Sequence, residues 1–125
     1  MELSVEISRM KPGVVTLSLI GPIDENGSST LDTEICGTLA EPVDILVLDM
    51  AGVDYITSSG IGTIVKAKTS LKRRGGNLVI INLQPQVEKV FEIIRLTPVL
   101  EVFASREELD EYLVKVQDKI KREDD

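Results

Sequence analysis

The chain has 125 residues, of which 42% are apolar and 3% aromatic, and its formal net charge is −7. This length suits a single domain, and the apolar content is sufficient for a hydrophobic core. The acidic balance and the scarcity of aromatic rings argue against a nucleic-acid-binding protein, which usually presents a basic face, and against binding to an anionic membrane surface.

The N-terminal segment predicts a β-hairpin. Apolar and polar residues alternate over residues 3–8 and again over residues 14–20, as in strands with one buried face. Lys11-Pro12-Gly13 lies between them and has the composition of a tight turn. A short turn between two alternating segments favours antiparallel pairing.

A polar, turn-rich segment over residues 23–30 leads into the first predicted helix. The apolar residues at helical spacing on its inner face are Leu31, Ile35 and Leu39. Ser29 and Asp32 fit a capping box, which predicts that the helix begins near Ser29. We expect it to end near Ala40, before Pro42.

The centre of the chain has the pattern of a strand, a hydroxyl-rich turn and a helix. Residues 45–48 are a short apolar run, typical of a buried strand, and the tetrapeptide Thr57-Ser58-Ser59-Gly60 follows after a loop. Helical spacing over residues 61–71 then ends at Gly75-Gly76. The hydroxyls therefore lie at a helix N-terminus, where unpaired N–H groups and the positive end of the helix dipole favour a phosphate or a carboxylate.

Two further strand–helix units complete the chain. A buried strand over residues 77–83 precedes a helix that Pro85 can open, and Thr97-Pro98 ends that unit. A short strand over residues 99–103 then precedes a last helix, for which Ser105 and Glu108 form a second capping box. The apolar stripe of the first of these two helices is Val87, Val90, Phe91 and Ile94.

The element order is therefore β-β-α-β-α-β-α-β-α, which predicts an α/β fold. We expect one mixed, mostly parallel sheet with an N-terminal antiparallel hairpin, and helices packed on the sheet. We assign residues 1–120 to a single domain and residues 121–125 to a charged tail that frays.

The chain contains no histidine and one cysteine, Cys36. Without an imidazole, neither a Ser-His-Asp site nor a Cys-His site can be built, and the usual zinc sites of Cys and His are excluded as well. We therefore predict that the protein is not an enzyme and binds no metal or cofactor. Cys36 falls beside the apolar face of the first helix, which predicts a small core residue.

The compartment follows from the same composition. A single cysteine allows no intramolecular disulfide, which is typical of a reducing environment. The N-terminus lacks the features of a signal peptide, and no apolar run approaches the ~20 residues of a membrane span. We predict a cytoplasmic protein.

The hydroxyl-rich turn can be interpreted in three ways. Capping is the simplest, since serine and threonine often begin helices, although one residue is enough to cap. The turn also follows a strand's carboxyl end, which is the usual functional edge of a parallel α/β sheet. Nucleotide binding has weak support, because Gly60-Ile61-Gly62 lacks the third glycine of a dinucleotide fingerprint and no Walker lysine follows.

Basic residues crowd the second half of the central helix. We expect them to be solvated and to complement the negative end of the helix dipole. They are Lys66, Lys68, Lys72, Arg73 and Arg74.

Residues 48–62, with Thr57-Ser58-Ser59-Gly60 near their end, resemble the STAS domain, which sulfate transporters and bacterial anti-sigma factor antagonists share. Ile20-Gly21-Pro22-Ile23-Asp24 resembles the family's segment after the second strand, and residues 87–96 resemble its third helix. The likeness covers essentially the whole chain in the same order. The resemblance implies an anti-sigma factor antagonist that consists of a stand-alone STAS domain.

The resemblance implies a partner switch. In this family the unphosphorylated antagonist binds an anti-sigma factor that is also a serine kinase, and so releases a sigma factor. Phosphorylation of one serine dissociates the complex, and a serine phosphatase reverses it. The resemblance places the phosphorylated serine at Ser58 and the partner-binding residues at Asp24, Thr57, Ser58, Ser59 and Gly60. From composition and charge we expect neither nucleic acid nor membrane as a partner.

The sequence departs from the family at Thr57, where the family often has aspartate. This departure motivates a second hypothesis, a STAS scaffold that is not phosphorylated and works within a larger regulatory or transporter complex. A third hypothesis is a module that senses a small molecule or nucleotide at the turn formed by residues 58–62.

Overall fold

The computed structural model describes residues 2–95 and 100–123. The strands are β1 (Ser4–Lys11), β2 (Val14–Ile20), β3 (Ile45–Gly52), β4 (Asn77–Ile81) and β5 (Glu101–Phe103). The helices are α1 (Glu25–Leu39), α2 (Ser58–Arg73), α3 (Pro85–Ile93) and α4 (Arg106–Glu123). This order confirms the predicted fold class.

The strands form one sheet in the order β1-β2-β3-β4-β5. β1 and β2 are antiparallel, as the hairpin pattern predicted, and every later neighbour is parallel. The three crossovers that carry α1, α2 and α3 all move in the same direction across the sheet. Because such crossovers are right-handed, these three helices lie on one face of the sheet.

Two apolar cores separate the layers. On the face of α1, α2 and α3, buried helix and strand side chains pack together, among them Leu31, Ile64, Leu71, Phe91, Leu17, Leu46, Leu48 and Ile80. On the opposite face α4 packs Leu109 and Leu113 against strand residues including Val14, Val47, Val79 and Ile81. β3 is buried on both faces, which explains its continuous apolar run.

The predicted start of the first helix was wrong. α1 begins at Glu25 with Asp24 as its N-cap, so Ser29 lies inside the helix, where its carbonyl accepts a bond from the Thr33 hydroxyl. Its C-cap is Ala40, as predicted. Cys36 is exposed and not in the core, because the helix phase set by its buried residues turns this thiol outward.

Several other boundaries differ by a few residues. β4 ends at Ile81 rather than at residue 83, since Asn82 adopts a positive φ of 60°. The Ser105 hydroxyl accepts from the Glu108 N–H, as the capping box predicted, whereas the Glu108 carboxylate accepts from the N–H of Ala104. Residues 96–99, which include the predicted Thr97-Pro98 break, and residues 124–125 of the tail lie outside the described residues; residues 121–123 belong to α4.

Within the part of the chain that the structure describes, no helix is both long enough and apolar enough to cross a membrane.

Lys68 is buried, unlike the other cations of α2, and is only 8% exposed. Its ammonium group donates to Asn77 Oδ1 at 3.0 Å and lies 3.9 Å from Glu101 Oε1, which also accepts from Asn77 Nδ2 at 2.7 Å. Burial lowers the pKa of Lys68, and the charge of Glu101 acts in the opposite direction. The expectation that this lysine is solvated was wrong. It joins α2 to the first residues of β4 and β5.

We expect Lys68→Ala to lower the free energy of unfolding by about 2 kcal/mol, because the substitution removes the charged donor to Asn77 Oδ1 and the cation beside Glu101. Lys66→Ala is the matched control on the same helix, since its exposed ion pair with Asp32 at 3.5 Å contributes at most about 0.5 kcal/mol. Urea unfolding at pH 7 measures both. Equal losses for the two variants would contradict a structural role for the buried lysine.

Candidate functional site

Two helices begin side by side at one edge of the sheet. β2 and β3 are parallel neighbours, and Ile20 near the end of β2 pairs with Gly52 at the end of β3. α1 follows β2 and α2 follows β3, so the N-termini of both helices face the carboxyl edge of the strands. In parallel α/β sheets this edge is where ligands and partners usually bind.

The loops that precede these helices are joined by an isolated bridge between Ile23 and Ile56. The Ile23 N–H donates to the Tyr55 carbonyl at 2.9 Å, and the Ile23 carbonyl accepts from the Thr57 N–H at 3.0 Å. The Thr57 hydroxyl donates to the same carbonyl at 3.2 Å. We call these three hydrogen bonds the Ile23–Thr57 clamp. It holds the two helix N-termini in a fixed relation.

The two helices are capped in the same way. The Asp24 carboxylate accepts from the Gly27 N–H at 2.7 Å, and the Thr57 hydroxyl accepts from the Gly60 N–H at 3.4 Å. Each N-cap therefore satisfies an N–H that has no partner within its helix. The Thr57 hydroxyl is consequently committed twice, as donor in the clamp and as acceptor in the cap.

Glycine is required at the third position of α2. A Cβ added to Gly60 would lie 2.5 Å from Ile23 Cγ2 and 2.9 Å from Ile56 Cγ1. At Gly27 of α1, a Cβ would collide with the Pro22 carbonyl oxygen. The buried Gly60 therefore lets α2 approach the clamp closely, and its side-chain face is turned toward the protein.

The two serines that follow Thr57 are exposed. Ser58 is the first residue of α2 and Ser59 the second. Ser59 lines a shallow depression of about 430 Å³ between the two helix N-termini, together with Asp24, Glu25, Asn26 and Thr57. The structure thus brings all five predicted site residues to one edge, but it gives them different environments.

The charges at the two N-termini differ. The N-terminus of α1 has two acidic groups, Asp24 at the cap and Glu25 in the first turn. The first turn of α2 contains no acidic residue, and its cap is a neutral threonine. The positive end of the α2 dipole is therefore not compensated by a side-chain charge of its own first turn, which favours a phosphate at this end.

The described residues contain no group of three or more His, Cys, Asp or Glu side chains placed to hold a metal ion. The chemistry of this edge is that of hydroxyls, backbone N–H groups and carboxylates. Such an edge can accept a covalent phosphate or bind another protein.

Comparison with known proteins gives a consistent result. The family model of the STAS domain matches residues 7–109. The chain is similar to BtrV of Bordetella bronchiseptica, whose name assigns it to the anti-sigma factor antagonists; it is 30% identical over 95 residues, which cover 76% of this chain and 82% of BtrV. It is also similar to the anti-sigma-B factor antagonist of Listeria monocytogenes, with 26% identity over 102 residues that cover 82% of this chain and 90% of that protein.

Among solved structures, the chain resembles the anti-sigma factor antagonist SpoIIAA. The unphosphorylated form gives a TM-score of 0.73 at 19% identity, covering 87% of this chain and 96% of SpoIIAA. The phosphorylated form of the Bacillus protein gives a TM-score of 0.68 at 19% identity, covering 87% and 99%. At this level of identity the likeness concerns the fold.

We expect Gly60→Ala to destabilise the chain by about 2 kcal/mol, because the added methyl group overpacks the contact with Ile23 and Ile56. Gly62→Ala is the matched control two residues further along α2. A Cβ there meets nothing within 4 Å, so the gain in helix propensity stabilises the fold by about 0.5–1 kcal/mol. Urea unfolding compares the two variants. Stabilisation by both substitutions would show that Gly60 is not a packing contact.

We expect Thr57→Val to lower the free energy of unfolding by about 1–2 kcal/mol, since it removes both the cap and the donor to Ile23. Thr57→Ser keeps both hydrogen bonds and should remain within about 0.5 kcal/mol of the wild type. Amide hydrogen exchange at Ile23 and Gly60 measures the local effect. Unchanged exchange in Thr57→Val would show that the Thr57 hydroxyl adds nothing to local order beyond the two backbone bonds of the clamp.

Proposed function

The chain belongs to the STAS domain family, and from this membership and the geometry of the α2 N-terminus we propose that it is an anti-sigma factor antagonist. In this role it is a cytoplasmic regulatory protein and not an enzyme. It binds an anti-sigma factor that is also a serine kinase, and so releases a sigma factor. The names of BtrV and of the Listeria protein support this class.

The observation that carries the proposal is the exposed hydroxyl of Ser58 at a helix N-terminus whose first turn contains no acidic side chain. Thr57 is half-buried and its hydroxyl is committed to Ile23 and Gly60, so it is a poor phosphate acceptor. Ser58 offers its hydroxyl to a kinase without breaking a cap. Ser59 is exposed as well, so exposure alone does not choose between the two serines. The resemblance to the family's motif selects Ser58, and we therefore assign Ser58 as the site of phosphorylation and a serine phosphatase as the enzyme that reverses it.

Phosphorylation at Ser58 has two separate consequences. A phosphoserine adds about −1.5 to −2 charges at pH 7, and the N-terminus of α2 can accommodate this charge without a change of fold. In a complex, the same charge lies between the partner and an edge that already carries Asp24 and Glu25, where it must be desolvated. A loss of ~3 kcal/mol in binding lowers the affinity more than a hundredfold.

Similarity to both forms of SpoIIAA supports a switch of this kind. The chain resembles the unphosphorylated and phosphorylated structures at TM-scores of 0.73 and 0.68. The fold that this chain shares with SpoIIAA accommodates a phosphate in that protein, as the proposed switch requires here.

A second candidate function rests on Thr57. Its neutral side chain makes the hydrogen bonds of both the cap and the clamp, although the family often has aspartate at this position. The geometry of the edge therefore does not depend on recognition of Ser58 by a kinase. Without such recognition the chain is an unphosphorylated scaffold of a larger regulatory complex.

Phosphopeptide mapping of the protein from its native cells, with a phosphatase-treated control, separates the two candidates. A phosphate on Ser58 is the expected result. Absence of phosphate under every growth condition would favour the scaffold.

We expect Ser58→Asp to fold like the wild type and to bind the anti-sigma factor about a hundredfold more weakly, because it introduces a charge on the docking surface. The matched control is Thr69→Asp, which places the same charge at an exposed position near the other end of α2. The anti-sigma factor is first identified as the protein that co-purifies with the tagged chain from native cells. The affinity of each variant for this purified protein is then measured by calorimetry. Equal binding by Ser58→Asp and Thr69→Asp would count heavily against a switch at this position.

A further inference from the structure

Building on the proposed function, we propose that Tyr55 is the apolar anchor of the docking surface around Ser58. The partner receives its ring in an apolar pocket with a basic rim. The anti-sigma factor is therefore recognised by an aromatic insertion beside the switch as well as by contacts to the serine itself.

Tyr55 is exceptional among the aromatic residues of the chain. There are only four of them, two phenylalanines and two tyrosines. Phe91 is buried in the core at 1% exposure, and the rings of Phe103 and Tyr112 pack on each other with their centroids 5.1 Å apart. Tyr55 remains 55% exposed. Large aromatic rings at a protein surface are the side chains that most often dominate the binding energy of an interface.

The backbone at Tyr55 and directly after it is held by hydrogen bonds to Ile23. The carbonyl of Tyr55 accepts the Ile23 N–H at 2.9 Å, and the next residue, Ile56, is buried at 8% exposure. Thr57 then caps α2 and donates to Ile23. Because the clamp holds the carbonyl of Tyr55 and the following cap residue, little backbone freedom is lost there when a partner binds, which reduces the entropic cost of association.

Ser58 lies close to this ring along the chain. Tyr55 is two residues before the cap Thr57 and three residues before Ser58. Three residues span at most about 11 Å. A partner seated on Tyr55 would therefore lie next to Ser58, where an added phosphate acts on it directly.

The acidic charge of this edge indicates which kind of partner binds it. The exposed acids Asp54 and Glu25 and the half-buried Asp24 belong to this edge, and the whole chain carries a net charge of −7. A second copy docked by two-fold symmetry would bring these acids against each other, which like-charge repulsion disfavours. A partner of different sequence with a basic rim is complementary. Such complementarity mainly sets the association rate and its dependence on salt.

Photo-crosslinking in native cells tests this contact. The photoreactive amino acid p-benzoylphenylalanine is placed singly at position 55, at position 25 beside the helix N-termini, and at position 93. Ile93, at the far end of α3, is 70% exposed and serves as the apolar control. We expect positions 55 and 25 to capture the same protein, one that contains an ATP-binding kinase domain, and position 93 not to capture it.

The affinity for that captured protein then tests the anchor. We expect Tyr55→Ala to weaken binding about 10- to 100-fold in calorimetry, and Tyr55→Phe to retain it, since the ring is kept. Ile93→Ala should bind like the wild type. Thermal unfolding of each variant checks the fold, which an exposed side chain should not affect.

The alternative outcomes overturn different statements. Capture from position 25 but not from 55, or full binding by Tyr55→Ala, would overturn the anchor and leave the proposed function intact. Capture of a second copy of this chain from position 55 would show self-association in place of the basic partner. Capture of no kinase from either position would contradict the proposed function, and the anchor with it.

Discussion

The carbonyl oxygen of Ile23 is the point on which the arrangement of the two helix N-termini depends. It accepts two hydrogen bonds from Thr57, one from the N–H and one from the hydroxyl, at 3.0 and 3.2 Å. Parallel pairing of β2 and β3 brings the two loops near each other, but these bonds determine how the loops meet. The same threonine hydroxyl caps α2, and the close approach of Ile23 is what leaves no room for a side chain at Gly60.

The sheet supplies the support for that edge. Sequential strands lie next to one another, and their crossovers place α1, α2 and α3 on the same face. The N-termini of α1 and α2 are thus neighbours without any long connection. In the second half of α2, Lys68 joins the helix to Asn77 and Glu101. The helix that carries Ser58 is therefore held at its N-terminus by the clamp and in its second half by Lys68.

Much of this arrangement could be predicted from the sequence. Apolar periodicity indicated every strand and helix in order, and the run of hydroxyls correctly indicated the start of α2. The start of α1 was missed because Ser29 and Asp32 resemble a capping box more closely than Asp24 does, although Asp24 is the cap that forms. The spacing Asp24-x-x-Gly27, repeated as Thr57-x-x-Gly60, was the available signal. The burial of Lys68 and the exposure of Tyr55 depend on helix phase and on long-range packing, which a local pattern does not encode.

The uncharged first turn of α2 has a thermodynamic consequence. A negative group at a helix N-terminus contributes about 0.3–1 kcal/mol, and up to ~2 kcal/mol when partly buried. Under the proposed switch, the phosphorylated chain would then be more resistant to unfolding than the free unmodified chain. Because proteases act on the unfolded population, phosphorylation would slow degradation of the free chain, whereas the unmodified chain gains such protection only while its partner is bound. A cell that stores this protein in its phosphorylated form would keep a durable reserve, which a phosphatase can release without new synthesis.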